Sequence, residues 1–142
     1  MVGLFSIALR LVLSVLFGGL IGFEREVSKH SAGLRTHILV CLGSCLIMLT
    51  SMHVFDIYKD VTNLDPARIA AGVITSIGFL GAGTIIRSGE AVRGLTTAAT
   101  LWLVAGIGLA VGSGFYFASL VTVVLAIIVL FLLGRLERSI NN

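Results

Sequence analysis

The sequence predicts an all-α polytopic membrane protein, one bundle of five transmembrane helices formed by residues 1–142. Three observations lead there. First, 57% of the 142 residues are hydrophobic and 12% charged, against about 25% charged in an ordinary soluble domain. A domain this small buries only roughly 60–70% of the surface its unfolded chain exposes. The apolar excess must face something other than water, and the lipid bilayer is the partner that fits. Second, the charges are confined to short segments between long uncharged runs. Third, the longest such run, 94–134, has 41 residues without a formal charge and is broken by Gly112-Ser113-Gly114. That length is too great for one helix and right for two, because a span needs about 20 apolar residues and glycine ends helices.

The first span covers about 3–23 and is interrupted only by Arg10. A signal peptide needs a basic segment first and a small-residue cleavage site after its apolar core. Here Phe23-Glu24-Arg25-Glu26 follows instead, so the segment is expected to be a retained span. The second covers about 36–55 and contains Cys41 and Cys45 on one helix face. Two cysteines four apart on a helix suit neither a disulfide nor zinc and read as small buried hydrophobes. His37 and His53 stand near its two ends and read as interfacial residues. The third covers about 69–86, just after Asp65-Pro66. Asp suits a helix N-cap and Pro the first helical position. Asp65 is therefore a candidate outer-side cap, with a cation contact as the alternative. The fourth and fifth spans cover about 95–111 and 115–134.

Loop charges set the orientation. Segments 24–35 and 87–93 and the tail after 134 carry seven Lys/Arg, against two in 56–68. With five spans, all seven fall on one side. By the positive-inside rule the amino terminus is outside and the carboxyl terminus cytoplasmic.

Small residues recur at helical spacing. Gly18 and Gly22 are four apart, as are Gly108 and Gly112, and Gly78, Gly81 and Gly83 end the third span. Such residues let helix backbones approach closely in lipid. Packing within the bundle is the preferred reading and a homodimer seam the alternative. The run Gly78–Gly83 has the glycine content of a phosphate loop but lacks its Gly-Lys-Ser/Thr ending. A shift of 61 residues places Gly33-Leu34-x-Thr36 on Gly94-Leu95-x-Thr97, a faint repeat of helix starts.

One polar constellation carries physical risk. Glu24 and Arg25 end the first span, Arg35 opens the second and Arg93 precedes the fourth. Charges at a membrane boundary are costly unless partnered, so these four form a candidate cytoplasmic-side polar cluster, with Glu24 and Arg35 sharing an interaction. No nucleophile–base–orienter set is present, so no enzyme is expected, and no cofactor or metal site is suggested. The net charge of +3 comes from basic residues scattered singly, which gives no nucleic-acid footprint.

The collected residues resemble the MgtC/SapB family of bacterial inner-membrane proteins. The matching stretches are Gly22-Phe23-Glu24-Arg25, Ala32-Gly33-Leu34-Arg35-Thr36 and Asp65-Pro66-Ala67-Arg68-Ile69-Ala70-Ala71. Ile77-Gly78-Phe79-Leu80-Gly81-Ala82-Gly83 and Val92-Arg93-Gly94-Leu95-Thr96-Thr97-Ala98-Ala99-Thr100-Leu101-Trp102 also match. Ser76 departs from the pattern where glycine is expected. The resemblance implies a multi-pass protein of the bacterial cytoplasmic (inner) membrane, linked to magnesium or acid adaptation and, in pathogens, to virulence. It also implies action on other membrane proteins, the ATP synthase among them. Many members carry a further cytoplasmic domain, whereas this sequence ends soon after the fifth span and looks like the short form. The expected function is thus a non-enzymatic membrane regulator or binding protein. The alternative is a transporter or channel for a cation or another small solute.

Overall fold

The computed structural model describes residues 3–61, 63–89 and 91–140, with side chains to residue 136. Five helices follow one another: α1 Leu4–Val27, α2 Leu34–Tyr58, α3 Pro66–Ala82, α4 Leu95–Ser113 and α5 Tyr116–Ile140. A short antiparallel hairpin, β1 Ile86–Ser88 and β2 Ala91–Arg93, lies between α3 and α4. The all-α polytopic architecture expected from the charge-free runs is the one observed. Helices α1, α2, α4 and α5 are long and apolar enough to cross a membrane.

Helix α3 is the shorter one, with 17 residues, or about 26 Å at 1.5 Å per residue. It packs along α2 and α4 but does not reach the far end of α2, which runs about two turns past Ser51. The Ser51 hydroxyl of α2 donates to the Pro66 carbonyl at the start of α3 (2.7 Å). At the opposite end Gly81 packs on Ala98 in the first turn of α4. The expected third span, 69–86, is shifted toward the amino terminus at both ends. It starts earlier because Asp65 caps the helix, accepting the Ala67 N–H at 2.8 Å, with Pro66 in the first turn. It ends earlier because the chain turns at Gly83-Thr84 and Ile86 pairs with Arg93 across the hairpin. Helices α1 and α2 both run past the expected 3–23 and 36–55 limits, carrying Glu24–Glu26 and Arg35 within helical turns.

The α4–α5 turn falls where Gly112-Ser113-Gly114 suggested. Gly114 has φ +89°, a left-handed conformation that side chains disfavour, and its N–H and that of Phe115 bond back to the last carbonyls of α4. The core joins Phe17 and Ile21 of α1, Cys41, Cys45 and Leu49 of α2, Val104, Ile107 and Val111 of α4, and Val123 and Ala126 of α5. Both cysteines are buried free thiols, as their spacing suggested. Helix α3 contributes little to it; among its residues only Ile77 and Gly81 are buried.

Candidate functional site

Helix α2 is gripped from both sides by glycine. A Cβ on Gly18 would come within 2.7 Å of the Cys41 Cβ and 2.8 Å of the His37 carbonyl. One on Gly22 would meet His37 Cβ and Leu34 Cα at 2.9 Å. From the other flank, Gly108 lies against the Cys41 carbonyl and Ser44, and Gly112 within 2.7 Å of the Cys45 carbonyl and Met48 Cβ by the same measure. These four glycines therefore seat α1 and α4 directly on the backbone of α2. Gly81 makes ordinary contact with Ala98, Gly83 sits against its own preceding turn, and Gly78 faces open space.

The close approach at the inner end of α2 creates a polar site. His37 is fully buried. Its Nδ1 lies 2.8 Å from the Gly33 carbonyl, and its Nε2 lies 3.0 Å from the Thr100 hydroxyl of α4. A carbonyl only accepts, so Nδ1 carries the proton in that bond. The Thr100 hydroxyl has a second acceptor in the Thr97 carbonyl at 2.9 Å. His37 is thus no interfacial residue, which corrects the reading from its position in the sequence. Its burial depends on Gly22 and on a partner 63 residues away, neither of which local pattern could pair with it.

Beside it stands the end of α1. Arg25 is buried and ion-paired with Glu24. The other Glu24 oxygen accepts the Ser28 hydroxyl at 2.9 Å. Glu26 reaches across the loop to accept the Leu34 N–H at 3.0 Å, so an α1 carboxylate caps the first turn of α2. This negative group at a helix N-terminus satisfies a donor that the helix itself leaves open.

Of the four residues expected to cluster, the structure brings together only Glu24 and Arg25. Arg35 and Arg93 are exposed, and neither forms an ion pair among the described residues. Helix geometry explains Arg35. Leu34, His37, Ile38 and Cys41 face α1, and a residue one step beyond Leu34 points about 100° away. Arg93 is held in β2, which is exposed along its length. Asp65 is exposed and occupied as the α3 cap.

A second polar tie lies at the opposite end. Arg10 donates from Nε to the Tyr116 hydroxyl at 3.0 Å and from one Nη to the Gly112 carbonyl at 2.6 Å. It therefore clamps α1 to the α4–α5 turn rather than only reaching outward to water. Among the described residues, no group of three or more His, Cys, Asp or Glu side chains is placed to hold a metal ion.

No solved structure matches this chain. The model of the MgtC family matches residues 11–139. The "Putative magnesium transporter YhiD" of Escherichia coli K12 is 42% identical over 136 residues, covering 94% of this chain and 63% of that protein. "Protein MgtC" of Salmonella typhimurium LT2 is 42% identical over 140 residues, 98% of this chain and 57% of that protein. An uncharacterized protein of Haemophilus influenzae is 35% identical over 137 residues, 94% and 58% of the two chains. The chain thus spans about three-fifths of the length of these curated relatives. The family match and the four long apolar helices agree: this chain is a multi-pass bacterial inner-membrane protein and belongs to the MgtC family.

Proposed function

We propose that this protein is a non-enzymatic membrane regulator in magnesium or acid adaptation, acting through helix contacts with other membrane proteins. One observation carries the reading. The seams of α1 and α4 with α2 are closed by backbone contact at Gly18, Gly22, Gly108 and Gly112, while a groove of about 480 Å³ opens between α2 and α3 with an almost wholly apolar lining. A solute path through a bundle usually needs polar groups or broken helices at mid-depth. Here mid-depth is occupied by Cys41, Cys45, Val104 and Ile107 packed in the core; the buried polar residues at that depth are Ser14, whose hydroxyl is bonded back to the Leu11 carbonyl of its own helix, and Ser44, packed against Gly108.

Helix α3 supplies the contact surface in this reading. Gly72 and Ser76, about 40° apart around the helix, are exposed and line an open groove with Gly43 and Ser44 of α2, and nothing lies close beside Gly72. Small residues there let another helix approach closely in lipid. The family resemblance suggests the ATP synthase as a partner, and a second copy of this chain would use the same surface in a homodimer. The name of the Escherichia coli relative favours the alternative, a magnesium transporter.

The test of the surface is a pair of bulky substitutions, Gly72→Leu and Ser76→Leu, in cells that need the protein for growth in low magnesium. Both variants are expected to fold with unchanged thermal stability and to lose the growth phenotype. Full growth with both variants would remove α3 as the contact surface.

A further inference from the structure

A cleft of about 620 Å³ opens between the last turn of α1, the loop behind it and the end of α5. Its two halves differ in chemistry. Val27, Leu130 and Phe131 form an apolar wall; Lys29, His30 and Arg135 border the polar part, together with Glu24 and Ser28. We propose that this cleft binds the phosphate headgroup of an anionic membrane lipid, with the first part of an acyl chain along the apolar wall.

The charge balance of the cleft favours an anion. Glu24 is its carboxylate among the lining residues, and both of its oxygens are engaged, one by Arg25 and one by Ser28. Lys29 and Arg135 are exposed cations on opposite sides of the opening. Arg135 stacks on the Phe131 ring, its guanidinium carbon 4.1 Å from the centroid. Stacking fixes the plane of a guanidinium while leaving its N–H edge available, and that edge matches phosphate geometry. Lys29 is held in a left-handed turn, φ +56°, by its own N–H to the Glu26 carbonyl and the His30 N–H to the Arg25 carbonyl.

The apolar wall separates a lipid from a soluble phosphate. A free phosphate would engage the cations and gain nothing from Val27, Leu130 and Phe131. A phospholipid uses both halves, because its headgroup and first methylenes straddle the same polar–apolar boundary. Basic pockets between transmembrane helices on the cytoplasmic side take anionic headgroups for this reason, and the loop charges assign this end of the bundle to that side.

The test uses the purified full chain in neutral detergent and native mass spectrometry. Dioctanoyl phosphatidylglycerol and dioctanoyl phosphatidylcholine are titrated separately. Detergent has no sidedness, so the result does not depend on the orientation of the chain. The wild type is expected to retain one phosphatidylglycerol with clear preference over phosphatidylcholine. Each of Lys29→Gln and Arg135→Gln should lower that preference roughly fivefold, and the pair roughly twenty-five-fold. Arg87→Gln, a basic residue outside the cleft, should leave it unchanged. Phe131→Leu keeps both charges but removes the stacking platform, and it should weaken retention by a smaller factor if the charge variants fail to fold. Equal retention of the two lipids by the wild type would overturn the proposal. So would full retention in the Lys29 and Arg135 variants, or equal loss with Arg87→Gln. Displacement of the lipid by millimolar glycerol 3-phosphate would identify a soluble phosphate as the ligand and reject the lipid.

Discussion

The Nε2 of His37 and the hydroxyl of Thr100 meet at 3.0 Å inside the bundle, joining the first turn of α2 to the first turns of α4. Both residues are buried, and His37 also bonds the Gly33 carbonyl at the point where the chain enters α2. One imidazole therefore fixes the entry of α2 and its spacing from α4.

Thr100→Val should leave the His37 Nε2 without its partner and cost roughly 1–2 kcal/mol, in the range for an orphaned buried polar group. His37→Ala should cost about 2–4 kcal/mol, because it adds a cavity to the lost bonds. The double variant should cost less than the sum by about 0.6–1.7 kcal/mol, the coupling measured for hydrogen bonds between membrane helices. Unfolding in mixed micelles gives all three values. Strict additivity would show that the two side chains do not interact.

The glycine contacts make a prediction with internal controls. Gly108→Ala and Gly112→Ala each drive a methyl into the backbone of α2 and should destabilise by about 1–3 kcal/mol, the usual cost of overpacking. Gly106→Ala and Gly78→Ala place theirs in open space and should be neutral or slightly stabilising, since Ala is the better helix former. Thermal unfolding in detergent separates the two classes.

Charge substitutions at the inner end should split in the same way. Glu24→Gln removes the ion-pair partner of Arg25, whose side chain is only 4% exposed. It should cost about 2–3 kcal/mol, somewhat below the full cost of breaking a buried pair because Glu24 itself is partly solvated. Arg35→Gln should change stability by less than about 0.5 kcal/mol, as expected for an exposed site. The two effects should add. A large coupling between positions 24 and 35 would restore the four-residue cluster.

Much of the fold was legible because membrane solvent imposes simple rules. Uncharged runs located the helices, Gly112-Ser113-Gly114 located the α4–α5 turn, and Asp65-Pro66 located the start of α3. The faint repeat also has a structural counterpart, since α2 and α4 both begin at the leucine after a glycine, Leu34 and Leu95. The hairpin was not legible. Ile85 and Ile86 are apolar and read as the end of a span, while the pairing of Ile86 with Arg93 is a tertiary fact. The polar site was half legible. Adjacent charges such as Glu24 and Arg25 could be paired from sequence, but the direction of Arg35 and Arg93 depends on which helix face meets α1 and on the hairpin. His37 and Arg10 escaped for a related reason, since their partners Thr100 and Tyr116 are 63 and 106 residues away.

Sidedness has its own test. The structure gathers the 24–30 turn and the end of α5 at one end of the bundle, as the loop charges require. Single cysteines at Ser31 and Asn63, in a background lacking Cys41 and Cys45, should label differently in intact cells with a permeable outer membrane. An impermeant thiol reagent is expected to reach position 63 and spare position 31. The opposite pattern would invert the bundle.

The central claim is that the glycine-sealed bundle regulates partners and does not itself carry magnesium. Magnesium uptake into proteoliposomes of the purified chain tests it most directly. The account predicts uptake indistinguishable from protein-free vesicles at every magnesium concentration, in the wild type and in Glu24→Gln and Asp65→Asn alike. Saturable uptake by the wild type, abolished by either substitution, would contradict it and make this protein a transporter.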